Sequence, residues 1–370
     1  MADRFTSAFF FLYFSANFLA LCLAEAGIHK VPAAFIFGDS IFDAGTNDFL
    51  NESTAESNFP FNGIDYPFSI PTGRFSNGYN TADQIVRLLG FSASPPPFLS
   101  LVNHYSTFRQ RILEGVNFAS GGSGILSGTG HGSVVSLAEQ IQQFSTVHGY
   151  ISEMLGPNAT ARMLSQSLFL ISTGSNDMFE FSAAILYRTT NVSAPEFLQF
   201  LQSNYTKHLQ NLYDLGARKF VIVSVPPIGC CPSPRAVLKS DACIKEMNDL
   251  AVAFFVNIQA LLKSWSSEFA DVKYSLANSF RMTSDVLENP LVFGMKDVKN
   301  ACCGKGTFNG ELPCDSRLDP ALCSNRHEYL FWDRFHPTAA ASRLAALSMF
   351  GGSRRYVTPM NVSRLVETSI

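Results

Sequence analysis

The chain has 370 residues, 46% of them hydrophobic and 15% charged, with a formal net charge of −3. That apolar content with so little charge excludes a disordered chain, and 27 basic residues set evenly among 30 acids exclude the footprint of a nucleic-acid binder. Glycine period, composition bias and sustained heptads are absent as well, which leaves a core-rich globular protein.

The chain opens with Arg4 and an apolar run from Phe5 to Leu23, broken by Ser7, Ser15 and Asn17. Ala24 and Ala26 form the small-residue A-x-A pattern of a secretory cleavage site, so residues 1–26 read as a signal peptide and Gly27 as the mature start. The alternative is an uncleaved membrane anchor, because the run nearly reaches spanning length; the polar interruptions favour cleavage. No later stretch is apolar enough to span, so residues 27–370 are expected as one secreted domain, extracellular or in the cell wall.

Ala33 to Phe37 (AAFIF) reads as a buried strand that ends in the tight turn Gly38-Asp39-Ser40. Residues 46–80, rich in Asn, Pro, Gly and Ser, form a long loop of the kind that lines sites. Thr81 to Leu89 has helical spacing, and Gly115 to Ala119 is a second strand, followed by a Gly- and Ser-rich turn through Gly124. Ser136 to Leu155 reads as a helix, and Ser167 to Ser172 as a strand ending in Gly174-Ser175-Asn176-Asp177. A helix over Pro195 to Leu215 is stopped by Gly216; the β-branched strand Lys219 to Val225 then ends in Pro226-Pro227. Asp241 to Phe269 reads as a long helix, Val272 to Ala277 as a strand and Thr338 to Met349 as a last helix. Strands alternating with helices of this length predict a parallel sheet covered on both faces, one doubly wound α/β/α domain.

Seven cysteines follow the leader, which holds Cys22: Cys230, Cys231, Cys243, Cys302, Cys303, Cys314 and Cys323. In an oxidising compartment such clusters read as disulfides, and the paired C-x-x-C spacing of a zinc site is absent. Two adjacent pairs leave the connectivity open, and the odd count leaves one thiol over. N-x-[ST] sequons begin at Asn51, Asn158, Asn191, Asn204 and Asn361, in keeping with a glycosylating pathway.

In a doubly wound sheet, ligands bind beyond the C-terminal strand ends. Three polar turns fall there: Gly38-Asp39-Ser40, Ser120 to Gly124, and Gly174 to Asp177. Far downstream, FWDRFHPT holds Asp333 and His336 at an i, i+3 spacing that suits one face of a helical turn. Pro337 suits the first position of the last helix, which places His336 at an exposed helix start. A hydroxyl, a base, an acid to orient it and several oxyanion donors are thus available. Each has a plainer reading: Ser40 as a helix cap, Gly174 to Asp177 as an ordinary turn, Asp333 as a cap for backbone amides. No serine lies in a G-x-S-x-G elbow, which excludes the α/β-hydrolases.

The order of the blocks is more specific than any one of them. FGDSIFDAGTND (Phe37 to Asp48), GVNFASGGSGIL (Gly115 to Leu126), GSND (Gly174 to Asp177) and WDRFHPT (Trp332 to Thr338) together resemble the blocks of the plant GDSL esterase/lipases, within the SGNH hydrolases. PTGRFSNG, PPIGC, ACCGKGTFNG and NRHEYLFWD between them are similar too, so the resemblance covers nearly the whole chain after the leader. Thr46 and Asp48 stand where the family usually has Asn, Tyr79 where Arg is frequent, and Cys231 adds a thiol that is the candidate for the unpaired one.

The resemblance implies a three-layer α/β/α, flavodoxin-like fold around a central parallel sheet. It implies a secreted serine esterase or lipase with Ser40 as nucleophile, His336 as base and Asp333 as its orienting acid. The backbone N–H groups of Ser40 and Gly122 and the side-chain amide of Asn176 would form the oxyanion hole. No metal or organic cofactor is implied; the partner is a small-molecule, lipid or polymer ester. Acyl transfer and removal of acetyl groups from a polysaccharide are alternatives on the same site, and a non-catalytic secreted binder is an alternative of another class. If His336 were not the base, His131 and His327 would be the next candidates. The 34 phenylalanines fit a core, or in part an acyl groove.

Overall fold

Ala34–Gly38 (β1) has no polar face, and all five positions are buried. Such a strand belongs in the interior of a sheet covered on both sides. It pairs in parallel with Gly115–Asn117 (β2) and with Leu168–Ser172 (β3). Lys219–Val223 (β4) and Lys273–Ala277 (β5) continue the parallel sheet beyond β3. Val357–Pro359 (β6) closes the edge antiparallel to β5, giving the order β6-β5-β4-β3-β1-β2. The expected parallel sheet thus holds for five strands. The sixth is three residues long and contains Pro359, tolerable only at an edge, and it carries too little pattern to be read from sequence. These coordinates are a computed structural model that describes residues 30–102 and 105–370. The expected signal peptide, with Cys22 and its cleavage site, lies outside the described residues.

Helices cover both faces. On one, Phe35, Phe37, Phe118, Phe169 and Phe220 pack against helices α2 (Leu137–Leu155), α4 (Ala194–Asp214) and α5 (Lys245–Glu268). On the other, Ala34, Ile36, Leu170 and Val221 meet α1 (Thr81–Leu88), α6 (Ala339–Gly351) and α7 (Val362–Glu367). Successive residues of β1 thus feed opposite layers, as strand geometry requires. Each large side chain so buried contributes about 1.5–3 kcal/mol, and the ring pairs Phe37–Phe118 at 5.0 Å and Phe144–Phe169 at 5.3 Å order the first layer. Much of the phenylalanine content is therefore core. Capping boxes at Ser136 with Glu139 and at Ser193 with Glu196 set the starts of α2 and α4.

Two helix starts depart from expectation. Helix α5 begins at Lys245, not Asp241, because Cys243 is tied to Cys230 and the Ile244 N–H donates to Gly229 O at 2.8 Å. Pro337 is not the first residue of α6; it bridges Phe331 in extended backbone, and Thr338 caps the helix through the Ala341 N–H. The disulfides are Cys230–Cys243, Cys302–Cys323 and Cys303–Cys314, and Cys231 is the free, buried cysteine among the described residues. Burial pushes its thiol up to about 12, with the Asp333 charge adding to the effect.

Full reduction should lower the melting temperature, since each native disulfide in a secreted domain contributes roughly 2–5 kcal/mol. Cys231→Ser should be milder than loss of any bridge. Calorimetry with and without reductant, with thiol counting to verify reduction, checks both; equal melting would mean that the bridges carry no stability.

Candidate active site

At the end of β1, Gly38 has φ +125° and a Cβ there would lie 1.8 Å from Ser172 O, so only glycine fits. The Asp39 N–H then donates to Ser172 O at 2.9 Å, and the chain turns at the C-terminal edge of the sheet to present Ser40. Its Oγ lies 2.7 Å from Nε2 of His336, whose Nδ1 is 2.8 Å from both carboxylate oxygens of Asp333. The plainer reading of Ser40 finds no support: among the described residues its hydroxyl meets the histidine and caps no helix.

Asp333 and His336 meet, but not on a helix. Asp333 Oδ1 accepts the backbone N–H groups of Phe335 at 2.8 Å and His336 at 2.9 Å, and the Trp332 N–H donates to His336 O at 2.7 Å. The segment is a tight turn folded around its own carboxylate, ahead of α6. His336 is consequently not at an exposed helix start; it is 9% exposed, with the Phe75 ring 4.9 Å from its own. Burial alone would raise the Asp333 carboxyl. The His336 charge, the ring hydrogen bond and the two N–H groups outweigh it and hold the carboxyl below its usual range. The alternative histidines lie elsewhere: His327 is exposed, and His131 is exposed beside Glu180.

Gly122 sits at φ +84°, a left-handed conformation that favours glycine, and its N–H, like that of Ser40, makes no backbone hydrogen bond among the described residues. Asn176 lies in the first turn of α3 (Ser175–Leu186), so the Gly174 to Asp177 block is a helix start rather than an ordinary turn. Its Nδ2 donates to Ser123 O at 2.8 Å, which fixes the amide and, among the described residues, leaves its second hydrogen unspent. Ser40, Gly122, Asn176, Asp333 and His336 all line one cavity of about 1370 Å³.

A set of buried polar residues that sequence reasoning did not single out holds the Gly122 loop. Asp43 accepts the Gly121 N–H at 2.8 Å, and Asn47 donates to Gly121 O at 2.8 Å while accepting the Ser120 hydroxyl. Asp177 accepts the N–H groups of Ile125 at 2.8 Å and Leu126 at 3.0 Å. Gln140, on α2, accepts the Gly38 N–H at 2.8 Å and donates to Gly38 O at 2.9 Å. Burial pushes Asp43 and Asp177 up to about 6 against these backbone donors. Asp43, Asn47 and Asp177 stand inside the recognised blocks, which was the available signal. Gln140 had none, lying 102 residues from its partner.

Asp39, beside Ser40, is buried, and its Oδ2 has no partner among the described residues. Burial pushes its carboxyl from 3.8 up to about 7, against the Ile41 N–H and the His336 charge. The folded-state value lies above the unfolded one, so this group's contribution to stability is lost as pH rises from about 4 through about 7. Asp39→Asn should therefore raise the melting temperature by on the order of a few degrees more at pH 8 than at pH 5. The same increment at both pH values, by differential scanning fluorimetry, would mean that the carboxyl is not held protonated.

Comparison with known proteins gives this geometry its context. The family model described as GDSL-like lipase/acylhydrolase matches residues 35–349. The chain is 37% identical over 361 residues to GDSL esterase/lipase LTL1 of Arabidopsis thaliana, covering 95% of this chain and 94% of that one. It is 34% identical over 359 residues to GDSL esterase/lipase At5g55050 of the same plant, covering 95% and 94%. GDSL esterase/lipase 6, also from Arabidopsis thaliana, is 33% identical over 344 residues, 92% of each chain. A match of this length and identity, over a sheet whose C-terminal edge carries Ser40, means that the chain belongs to the GDSL-like lipase/acylhydrolase family and is a carboxylic ester hydrolase.

Proposed function

We propose that the protein hydrolyses acyl esters through a Ser40-His336-Asp333 triad with an oxyanion hole made by the N–H groups of Ser40 and Gly122 and the amide of Asn176. The observation that carries this reading is the relay of 2.7 and 2.8 Å contacts from Ser40 through His336 to Asp333, opening on the cavity that also contains Gly122 and Asn176. His336 Nε2 accepts the Ser40 proton as Oγ attacks the ester carbonyl; Asp333 keeps the proton on Nδ1 and stabilises the imidazolium. The carbonyl oxygen gains charge where the three donors converge, and donors fixed in advance stabilise that charge without reorganising. Collapse expels the alcohol with the proton from His336. Water, deprotonated by the same nitrogen, then releases the acid.

Labelling with a serine-reactive phosphonate and peptide mapping, beside turnover of esters of graded chain length, tests the reading. Label on a serine other than Ser40, or no turnover of any ester, would overturn it. Asn176→Ala should lower kcat by about 10²–10³, the usual loss for one oxyanion donor. A change confined to KM would instead make Asn176 a ground-state binding residue.

The proposal extends to the protein's location: secretion after removal of residues 1–26, as one domain over 27–370. Three disulfides support an oxidising compartment, and among the described residues no helix is long and apolar enough to cross a membrane. Glycans are expected first at Asn51, Asn158 and Asn191, which are exposed. Asn204 and Asn361 are half-buried, and their Nδ2 atoms already donate to Phe200 O at 2.9 Å and Gly352 O at 3.0 Å, which leaves less room for a glycan there.

A further inference from the structure

Helix α3 starts at the reacting groups and leads away from them. Asn176 stands in its first turn, and Phe179, Ala183 and Leu186 follow at spacings of three, four and three, so all four share one face. All four line the cavity that holds Ser40 and His336. After Asn176 the only polar side chain of α3 on the cavity wall, among the described residues, is the hydroxyl of Ser182. Leu198 of α4 and Leu250 of α5 add apolar side chains to the same space, and Glu246 and Asp249 in the first turns of α5 also line it.

Size argues against a small acyl group. The cavity, about 1370 Å³, exceeds the roughly 300–1,000 Å³ that encloses a drug-sized ligand. At 1.5 Å per residue, the rise from Asn176 to Leu186 is about 15 Å. That is half the roughly 30 Å hydrocarbon core of a bilayer, the depth that one extended acyl chain of a membrane lipid spans. Beyond it the space ends on an apolar rim where Ile185, Leu186 and Tyr187 are 49%, 48% and 69% exposed. Thr54, Glu56 and Ser57 line another part of the cavity wall and are polar. Water must replace the departed alcohol while the acyl group is still held, so the polar wall suits the alcohol and the apolar one the acyl chain.

We propose that the face of α3 from Phe179 to Leu186 is an acyl-chain site, and that the preferred substrates are esters of long-chain fatty acids. The inference rests on Ser40 as the nucleophile proposed above.

Two ester series test it: p-nitrophenyl esters from acetyl to hexadecanoyl, and acetates of alcohols of increasing length. In the acyl series kcat/KM should rise, by up to about fourfold per methylene, before levelling off. The alcohol series should stay nearly flat. Ala183→Trp should lower the ratio of dodecanoyl to acetyl kcat/KM by roughly tenfold or more, and Leu186→Trp, farther along the helix, should penalise only longer chains. Both residues are exposed on the helix surface, so a tryptophan displaces no core side chain; melting temperatures verify folding.

A flat acyl profile, ratios untouched by both variants, or dependence on the alcohol instead of the acyl chain would overturn the proposal. Displacement of a fluorescent fatty acid from Ser40→Ala by dodecanoate separates this inference from the hydrolytic reading. Binding that Ala183→Trp weakens, with no ester turned over by the wild type, would keep the acyl site and remove the role of Ser40. Turnover with a flat acyl profile would do the reverse.

Discussion

Ser40→Ala is expected to lower kcat on a soluble ester by about 10⁶, the loss that follows removal of the nucleophile or base of a serine triad, and to leave the melting temperature near that of the wild type. The second half of the expectation comes from the surroundings of the residue. Its hydroxyl meets His336 and caps no helix among the described residues. The turn that presents it is held by Gly38, by the Asp39 N–H on Ser172 O and by Gln140 clasping both backbone groups of Gly38. Removing the oxygen therefore leaves the turn intact. Wild-type turnover in the purified variant would rule Ser40 out as nucleophile, and a large loss of stability would make the residue structural after all.

The turn and the loop facing it are built from buried polar groups at some cost. Asp39, Asp43 and Asp177 all sit where burial raises the carboxyl, and one oxygen of Asp39 has no partner among the described residues. Core strands such as β1 show no such conflict. Local rules are broken where backbone N–H groups are held away from ordinary partners, which is where an oxyanion hole would need them.

How much of this the sequence disclosed varies with the distance over which each feature is decided. AAFIF and SLFLIS are strands by local content, and both lie within a residue or two of β1 and β3. Ser40, Asp333 and His336 were legible through their blocks, although 296 residues separate Ser40 from His336. The surroundings of His336 were not. Spacing of i, i+3 suggests a helical turn, and a proline after it suggests a helix start. The Trp332 N–H instead reaches His336 O and Asp333 turns its carboxylate onto the backbone, which draws the ring inward. The start of α5 was missed for a similar reason, since the Cys230–Cys243 bridge overrides a helical pattern. The bridges close loops with sequence separations of 13, 21 and 11 residues, but which of the neighbouring cysteines meet depends on how those loops fold, and spacing alone does not supply that.

The burial of His336 changes what should follow from altering its partner. At an exposed helix start, a solvated imidazole could regain a working tautomer unaided, and Asp333→Asn would be mild. Held in a pocket with Phe75 on one side and both Asp333 oxygens at 2.8 Å from Nδ1, the ring has little water to replace the carboxylate. An asparagine there can offer its N–H to Nδ1 and so favour the tautomer with the proton on Nε2, which cannot accept from Ser40. The charge that stabilises the imidazolium is lost as well. Asp333→Asn is therefore expected to lower kcat by about 10⁴, the full effect known for serine triads. His336→Ala should be harsher, near 10⁶, because the proton acceptor itself is gone. Since the three residues act as a unit, Ser40→Ala combined with His336→Ala should be scarcely worse than Ser40→Ala alone. Measuring kcat/KM for all four variants on one soluble ester, with circular dichroism to verify folding, decides among the arrangements. A silent Asp333→Asn with a crippled His336→Ala would make the site a Ser-His dyad. Wild-type turnover in His336→Ala would send the search for the base elsewhere.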